Sequence, residues 1–399
     1  MLRNLTRDSR RLYFLLLTCF GLFGLIFTIA GAALPQIIGS FGWSYTVTGL
    51  VLAASSAGYF LSSFLSGIFL QRFHPRHVMV LGLVLGAFSL ALFARWPSPW
   101  LNLLLNLGIG LCQGAMEVVA DLEVIYIEQK GQSRLMNLMH AAFCVGAIVG
   151  PSAVGYILSA HFPLVSVFIA SAVLSVILAV LFALAPFPRT KQEHAQTDQA
   201  ARGLFRQPLL LLVTAALLVY VGTEIGVSSW SSVYVVKVLA VPAWVAAFAV
   251  ALFWLGLLTG RLAISFWYKG DRQELLMLGL SILSASALVA VLLVKSPSAV
   301  AAAIFVAGLG CSGFYPLGMS LLGKRFKSGF AVGTAATGGA MGSIAFPFVM
   351  ALISQSVGVR NGFWFYLGMS VMLVVIAAFL VRVVHRGSPA DGAADSSAS

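Results

Sequence analysis

Polar side chains recur through one apolar stretch of the sequence, from Asn102 to Glu128. Residues of an α-helix advance by about 100° per position, so most of these polar side chains share one face. That face carries Asn106, Gln113, Glu117, Asp121 and Glu128, with Asn102 at its edge and Glu123 pointing away. Ionisable groups at membrane depth are costly unless they face a bundle interior or a watery cavity. The stripe therefore predicts a path for a polar solute, a proton or both.

Glu117 is the member of the stripe that is best placed for proton coupling. It lies near the middle of the apolar stretch, where a carboxyl is most stable in its neutral form. Such a group can accept a proton from one side of a membrane and release it to the other. The alternative is a structural carboxyl that is hydrogen-bonded to a neighbouring helix.

Asp121 and His140 lie at similar distances from the facing ends of two consecutive apolar stretches. Antiparallel helices would place them at one depth. A carboxylate beside an imidazole forms a pair that can exchange protons near neutral pH. The pair is predicted to be a proton relay or an inner gate, or alternatively a polar contact that fixes two helices.

Glu224 is an acid within an apolar stretch of the second half of the chain. It is predicted to bind solute hydroxyls or a coupling ion, and the alternative is a buried structural pair with Arg261. The ring of Trp230, further along the same stretch, could stack on a sugar's CH face. The predicted solute-binding set also includes Gln36, Gln113 and Tyr315. Their side chains can form hydrogen bonds with a neutral polyol; the alternative is that they only pack between helices.

Composition identifies the solvent of these stretches as lipid. Of the 399 residues, 60% are hydrophobic and 9% are charged, whereas about 25% of a soluble chain is charged. Each run that can cross a bilayer is near or above the ~20 residues that a helix needs. The twelve runs lie near 12–38, 44–71, 77–95, 99–128, 134–160, 163–187, 208–237, 242–268, 274–294, 298–323, 328–356 and 360–384.

The longest polar interruption divides the runs into six and six. The sequence predicts an all-α membrane protein of twelve transmembrane helices in two pseudo-symmetric six-helix bundles. The bundles are residues 1–187 and 208–387, with a central cytoplasmic loop at 188–207 and a disordered tail at 388–399. Such repeats let two bundles rock about a central site.

Glycines recur at matching places in the two halves, as small residues do where membrane helices touch. Gly108 and Gly110 match Gly308 and Gly310, and Gly58 matches Gly256.

Lysines and arginines are concentrated on one side of the predicted membrane. With both termini in the cytoplasm, most of the 24 Lys and Arg residues lie in cytoplasmic segments, which is the positive-inside pattern. That pattern explains the net charge of +12 without a nucleic-acid partner. An inter-helix charge cluster, which can also latch the bundles in one state, is predicted at this surface from Arg72, Arg76, Glu123, Glu128 and Arg134.

The four cysteines lie in apolar runs without a CxxC or His-rich pattern, so they are interpreted as packing residues, with no metal or disulfide expected. Motifs of nucleotide-binding proteins, serine hydrolases and zinc proteases are absent from the sequence. Neither enzymatic activity nor a cofactor is expected, and energy must come from an ion gradient or from the solute's own gradient.

The loop GIFLQRFHPR at 67–76 is similar to the cytoplasmic loop motif of the major facilitator superfamily. It has Gln71 where the family usually has Asp, and His74 where it usually has Gly. The run YVGTEIG at 220–226, together with Phe314, Tyr315 and Pro316, resembles the fucose-permease-like branch. This resemblance implies proton- or sodium-coupled sugar transport and a coupling acid in the helix of Glu117. Two departures are Asp121 in place of the usual Asn and a first span without an acid.

The sequence therefore predicts a secondary active transporter of a bacterial inner membrane. It is expected to import a small neutral, sugar-like solute by proton symport through rocking alternating access, with sodium as the other possible ion, and to work as a monomer in the lipid bilayer. One alternative is a proton-coupled exporter of an amphipathic compound or metabolite, which shares this topology. The other is a non-transporting membrane sensor, which should carry a signalling domain or a long soluble loop.

Overall fold

The computed structural model describes residues 6–70, 72–127, 134–185, 187, 207–268, 272–326 and 329–386, which are helical almost throughout. The helices are α1 (Arg7–Phe41), α2 (Tyr45–Phe69), α3 (Pro75–Leu92), α4 (Pro99–Ile127), α5 (Arg134–Ser159), α6 (Val165–Leu184), α7 (Pro208–Leu239), α8 (Ala243–Trp267), α9 (Gln273–Leu293), α10 (Pro297–Cys311), α11 (Phe314–Phe326), α12 (Gly329–Val357) and α13 (Val359–Arg386).

Within the part of the chain that is described, 12 helical segments are long and apolar enough to cross a membrane. The tenth of these segments consists of two helices, α10 and α11, because the span is interrupted at Ser312 and Gly313. The predicted all-α fold with twelve spans is confirmed. The tail at 388–399 and nearly all of the central loop at 188–207 lie outside the described residues, so those two predictions stay predictions.

Local sequence explains where several helices begin and end. The hydroxyl of Ser44 accepts a hydrogen bond from the backbone N–H of Val47 at 3.2 Å and so caps the start of α2. Pro208 and Pro297 stand in the first turns of α7 and α10, where a missing N–H costs nothing. Gly42 ends α1 with a φ of 66°, a left-handed conformation that glycine adopts without strain.

The two halves pack their helices in the same order. In the first half α1 packs on α5, α2 on α4 and α3 on α6. In the second half α7 packs on α12, α8 on α10 and α9 on α13. Since α12 and α13 are the eleventh and twelfth spans, each pair repeats its counterpart six spans later. This repetition confirms the two pseudo-symmetric bundles.

The matched glycines explain how closely these helices approach. A Cβ atom on Gly58 would collide with the carbonyl oxygen of Leu107 on α4. A Cβ atom on Gly256 would collide with the carbonyl oxygen of Phe305 on α10. The helix backbones therefore touch along seams that exclude larger side chains, as small residues allow in membranes.

The bundles touch each other on the side away from the chain ends. We call the side at which α1 begins and α13 ends the terminal side. On the opposite side, the N–H of Tyr45 donates to Oε1 of Gln355 at 2.8 Å, and the hydroxyl of Ser232 donates to the carbonyl of Gly31 at 2.6 Å. Each bond joins one bundle to the other, so the structure is closed on that side.

Toward the terminal side, polar side chains of both bundles are partly exposed. The side chains of Asp121 and His140 are 34% and 41% exposed there. Tyr315 of the second bundle is 37% exposed and lies close enough to Asp121 to interact with it electrostatically. Polar groups of both bundles thus face one central cavity, which opens at the terminal side.

Candidate functional site

The polar stripe of α4 begins with two structural asparagines. Oδ1 of Asn102 accepts from the N–H of Ala94, and its Nδ2 donates to the carbonyls of Trp96 and Ser98, each at 2.8 Å. Nδ2 of Asn106 donates to the carbonyl of Val51 on α2 at 2.6 Å. These amides fix the α3–α4 turn and the α2–α4 contact, and both are buried.

The middle of the stripe is bound to α2. Oε1 of Gln113 accepts from the hydroxyl of Ser55 at 3.5 Å, and the amide is 2% exposed. One turn further on, the hydroxyl of Tyr59 donates to Oε2 of Glu117. A hydrogen bond to an ionised carboxylate is stronger than one between neutral groups. Glu117 is therefore held by a phenol, while part of its side chain remains exposed.

Sequence reasoning missed Tyr59. The residue lies among serines and apolar residues of α2, and its ring stacks on Phe23 of α1 with centroids 6.3 Å apart. The available signal was the neighbouring Gly58. A glycine seam between α2 and α4 brings the next residue of α2 against the polar face of α4.

The structure brings Asp121 and His140 together across α4 and α5. Oδ1 of Asp121 lies 3.6 Å from Nε2 of His140, which is beyond hydrogen-bonding distance but within range of an ion pair. The imidazole also packs edge-on against Phe20, with centroids 5.1 Å apart. The pair lies on the terminal side of Glu117 and faces the open cavity.

The acid of the second bundle has a more enclosed setting. Glu224 is 6% exposed and lies beside the hydroxyl of Tyr220 and the guanidinium of Arg261. Arg261 makes its own bonds elsewhere: Nε donates to the carbonyl of Ser312 at 3.3 Å, and Nη1 contacts Sγ of Cys144 at 3.6 Å. Glu224 and Arg261 are neighbours, but they are not among the ion pairs within 4.0 Å that the described residues form.

Tyr315 lies between the acids of the first bundle and the acid of the second. It stands in the first turn of α11 and lies near Glu117, Asp121 and Glu224. The preceding residue, Phe314, is fully buried and stacks on Tyr220 at a centroid distance of 5.4 Å. The break in the tenth span thus turns one aromatic ring inward and the next toward the cavity.

Trp230 does not face the cavity in this structure. Its side chain is fully buried and its ring packs edge-on against Tyr45 of the first bundle, with centroids 6.0 Å apart. It is buried because the bundles touch on this side. Gln36, near the same end of α1, donates to Ser40 of its own helix at 3.3 Å.

Other aromatic rings lie between the bundles, and two of them, Phe27 and Phe143, were missed by sequence reasoning. Phe27 and Phe143 lie 5.9 Å and 5.5 Å from the ring of Trp254 in the other bundle. Nε1 of Trp254 donates to the hydroxyl of Ser228 at 2.8 Å. These three rings, called here the aromatic wall, span the interface between the bundles.

Beyond the aromatic wall, a small cavity lies between the bundles. It is lined by apolar side chains and by hydroxyls, among them Phe27, Ser55, Ser56, Ile225 and Ser229.

The predicted charge cluster is not assembled among the described side chains. Arg76 donates to the carbonyl of Ala185 at 2.7 Å and lies over the ring of Phe187, while Arg72 is exposed. Glu123 is buried, and its Oε2 has no hydrogen-bond partner among these residues. Glu123 and Arg72 are not among the ion pairs within 4.0 Å that the described residues form. Glu128 and the side chain of Arg134 lie outside the described part.

The cysteines are free thiols, and all four are buried: Cys19, Cys112, Cys144 and Cys311. Among the described residues, no group of three or more His, Cys, Asp or Glu side chains is placed to hold a metal ion.

The sequence matches the family model described as Major Facilitator Superfamily over residues 16–270 and 243–398. Membrane protein MosC of Rhizobium meliloti is 23% identical over 377 residues, which cover 92% of this chain and 89% of that protein.

Solved structures share the fold. A bacterial homolog to the human lysosomal transporter Spinster, inward-facing and occupied, gives a TM-score of 0.79 at 13% identity, covering 96% of this chain and 100% of that one. The E. coli fucose:proton symporter FucP gives 0.64 at 18% identity, covering 94% and 99%.

Proposed function

Because the chain belongs to the Major Facilitator Superfamily, we propose that this multi-pass membrane transporter imports a small neutral polar solute together with protons. The two bundles rock about the central cavity, so that Glu117 and the solute are reached from one side of the membrane at a time. The fucose-permease-like branch is the part of the family in which we place it.

The observation that carries the proposal is the setting of Glu117. Its carboxyl, near the middle of α4, receives the Tyr59 hydroxyl, and the Asp121–His140 pair stands between it and the open terminal side. A neutral carboxyl is the cheaper form at this depth. A proton entering at His140 can therefore reach Glu117, and Glu117 can hold it while the bundles rock.

The groups around Glu117 suit a solute that carries hydroxyls. Phenol hydroxyls come from Tyr59 and Tyr315, and an amide comes from Gln113. Groups of this kind both donate and accept hydrogen bonds. The aromatic wall offers ring faces for a sugar's CH groups, which is the role predicted for Trp230. FucP, a fucose:proton symporter, has this fold.

We assign the terminal side to the cytoplasm of a bacterial cell with the protein in its inner membrane. The support is the concentration of Lys and Arg residues at that side. The open cavity then faces the cytoplasm, and the contacts of Tyr45 with Gln355 and Trp230 close the outer side.

A second candidate is export of an amphipathic compound in exchange for protons. The aromatic wall favours this candidate, since three large rings at the bundle interface can pack against the apolar surface of an amphipathic compound. The two candidates differ in the direction in which a proton gradient moves the solute.

The test is solute transport in proteoliposomes under an imposed pH gradient. A panel of sugars, nucleosides and amphipathic amines is offered with the vesicle interior alkaline or acidic. Accumulation of a sugar that follows inward proton flow supports the proposal. Movement of an amphipathic amine against the proton flow favours the exporter. Uptake of a sugar at equal rates with and without the gradient would overturn proton coupling. Protein-free vesicles measure the passive leak of each solute across the lipid.

A further inference from the structure

The tenth span is broken in the middle of the membrane. Helix α10 ends at Cys311 and α11 begins at Phe314, with Ser312 and Gly313 between them. A helix that ends leaves its last carbonyls without partners in the helix. In a membrane interior such groups must be satisfied by other parts of the protein.

Two side chains of the second bundle supply those partners. The hydroxyl of Tyr220 on α7 donates to the carbonyl of Cys311 at 2.8 Å. Nε of Arg261 on α8 donates to the carbonyl of Ser312 at 3.3 Å. The break is thus bonded to two neighbouring helices, and one of those bonds comes from a charged donor.

Arg261 also reaches across the interface between the bundles. Its Nη1 lies 3.6 Å from Sγ of Cys144 on α5, and α5 and α8 pack together. A guanidinium can donate several hydrogen bonds in a fixed plane. Arg261 therefore joins the break to the surface along which the bundles must move.

The ring that depends on the break is Tyr315. Phe314 is anchored by its stack on Tyr220, and Tyr315 stands next to it, 37% exposed and within electrostatic range of Glu117. The direction of the first turn of α11 decides where this ring stands in the cavity.

We propose that Arg261 is a positioning residue, which fixes the break in the tenth span through Ser312 and thereby holds Tyr315 at the cavity wall. The competing explanation is that Arg261 only balances the charge of Glu224. The proposal goes beyond the transport function, because it does not depend on which solute or ion is carried.

The test uses Ser312→Cys as a reporter. The Ser312 side chain is fully buried and its hydroxyl has no partner among the described residues, so the change leaves the carbonyl that Arg261 holds. Modification of the introduced thiol by N-ethylmaleimide, in purified protein in lipid nanodiscs, measures how often the break opens. Because Arg261 contacts Cys144, one of the four buried cysteines, each variant is also made without Ser312→Cys to give its own background rate.

Arg261→Gln is expected to speed modification at least about tenfold, because a hydrogen bond from a charged donor is lost. Arg360→Gln is the matched control. Nη2 of Arg360 donates to the carbonyl of Leu292 at 3.0 Å, at a different helix end, so the rate should stay at the value of the reporter alone. Tyr220→Phe removes the neutral bond and should give a smaller increase than Arg261→Gln.

The double variant Arg261→Gln with Glu224→Gln, made in the reporter, separates the two explanations. It removes both charges, so the melting temperature should recover most of the loss seen in Arg261→Gln alone. Positioning by Arg261 predicts that the introduced thiol is still modified fast in this double variant. A rate that returns to that of the reporter alone would overturn the proposal, as would a single Arg261→Gln variant that is modified no faster than Arg360→Gln.

Discussion

The two bundles hold their central acids in different ways. In the first bundle, Glu117, Asp121 and His140 line an open cavity. The side chains of Asp121 and His140 are each more than a third exposed. In the second bundle, Glu224 is buried beside Tyr220 and Arg261, and the arginine is bonded to the backbone of a broken helix. The first set is accessible to water, whereas the second set is built into the packing.

This difference separates two jobs that the sequence suggested for both acids. A proton carrier has to be reached from solution, so the cost of changing its charge must stay small. A charge inside a packed network is tied to the groups around it, and removing one partner leaves the other poorly solvated. Substitutions in the first bundle should therefore affect coupling, and substitutions in the second should affect stability.

The largest effect is expected for Glu117→Gln. The amide can still accept the Tyr59 hydroxyl but cannot carry a proton, so gradient-driven uptake should fall about 100-fold, as when a proton-transfer group is lost. Exchange of labelled for unlabelled solute across the membrane should continue, and the melting temperature should change little. Proteoliposome uptake with and without a pH gradient measures both transport modes. Full gradient-driven accumulation by the variant would remove Glu117 from the mechanism.

Glu224→Gln should show the opposite pattern. Without the carboxyl, Arg261 loses its nearby counter-charge, and the free energy of unfolding should fall by about 2 kcal/mol, less than for a fully buried pair. Thermal unfolding in detergent measures the loss. Glu123→Gln is the matched control, because Glu123 is also buried but has no cation beside it among the described residues. Equal losses in the two variants would contradict the role of the network.

Asp121→Asn and His140→Gln should each slow gradient-driven uptake about tenfold, and the double variant should be no slower than either, since residues of one relay are not additive. The exposed pair itself contributes at most about 1 kcal/mol to stability, so melting temperatures should stay near the parent value. A double-variant cycle of uptake rates is the measurement. Strict additivity would show that the two residues act separately.

The smallest effect is expected for Tyr59→Phe. Loss of one hydrogen bond to a carboxyl, worth about 1–2 kcal/mol, should reduce uptake about five- to tenfold. Tyr366→Phe serves for comparison, because the hydroxyl of Tyr366 is buried without a hydrogen-bond partner in the described part. Uptake by that variant should be unchanged. If both substitutions behave alike, the Tyr59 contact has no part in coupling.

The architecture could be predicted from sequence because its causes are local and repeated. Length and hydropathy mark each span, and recurring glycines mark the seams. The break at Ser312 and Gly313 could not be predicted, since it lies inside a run that is apolar enough to be one helix. Its carbonyls are satisfied by Tyr220 and Arg261, which lie far away in the sequence.

The site was only partly predictable, for a similar reason. The polar face of α4 follows from helix periodicity, and the depth of Asp121 and His140 follows from their distance to the helix ends. The partner of Glu117, Tyr59, depends on which helix lies opposite. The burial of Trp230 depends on which side of the bundles is closed, and periodicity within one helix carries no information about that.

The glycine seams have a consequence for how such a protein diversifies. Along α2–α4 and α8–α10 the backbones touch, so a larger residue there would push apart helices that move as one body in the proposed rocking motion. The cavity faces carry no such restriction. Changes in solute preference can therefore accumulate at exposed positions such as Tyr315 while the seams are inherited unaltered. Proteins that descend from this scaffold can therefore acquire new solutes while they keep the same helix packing and the same proposed motion.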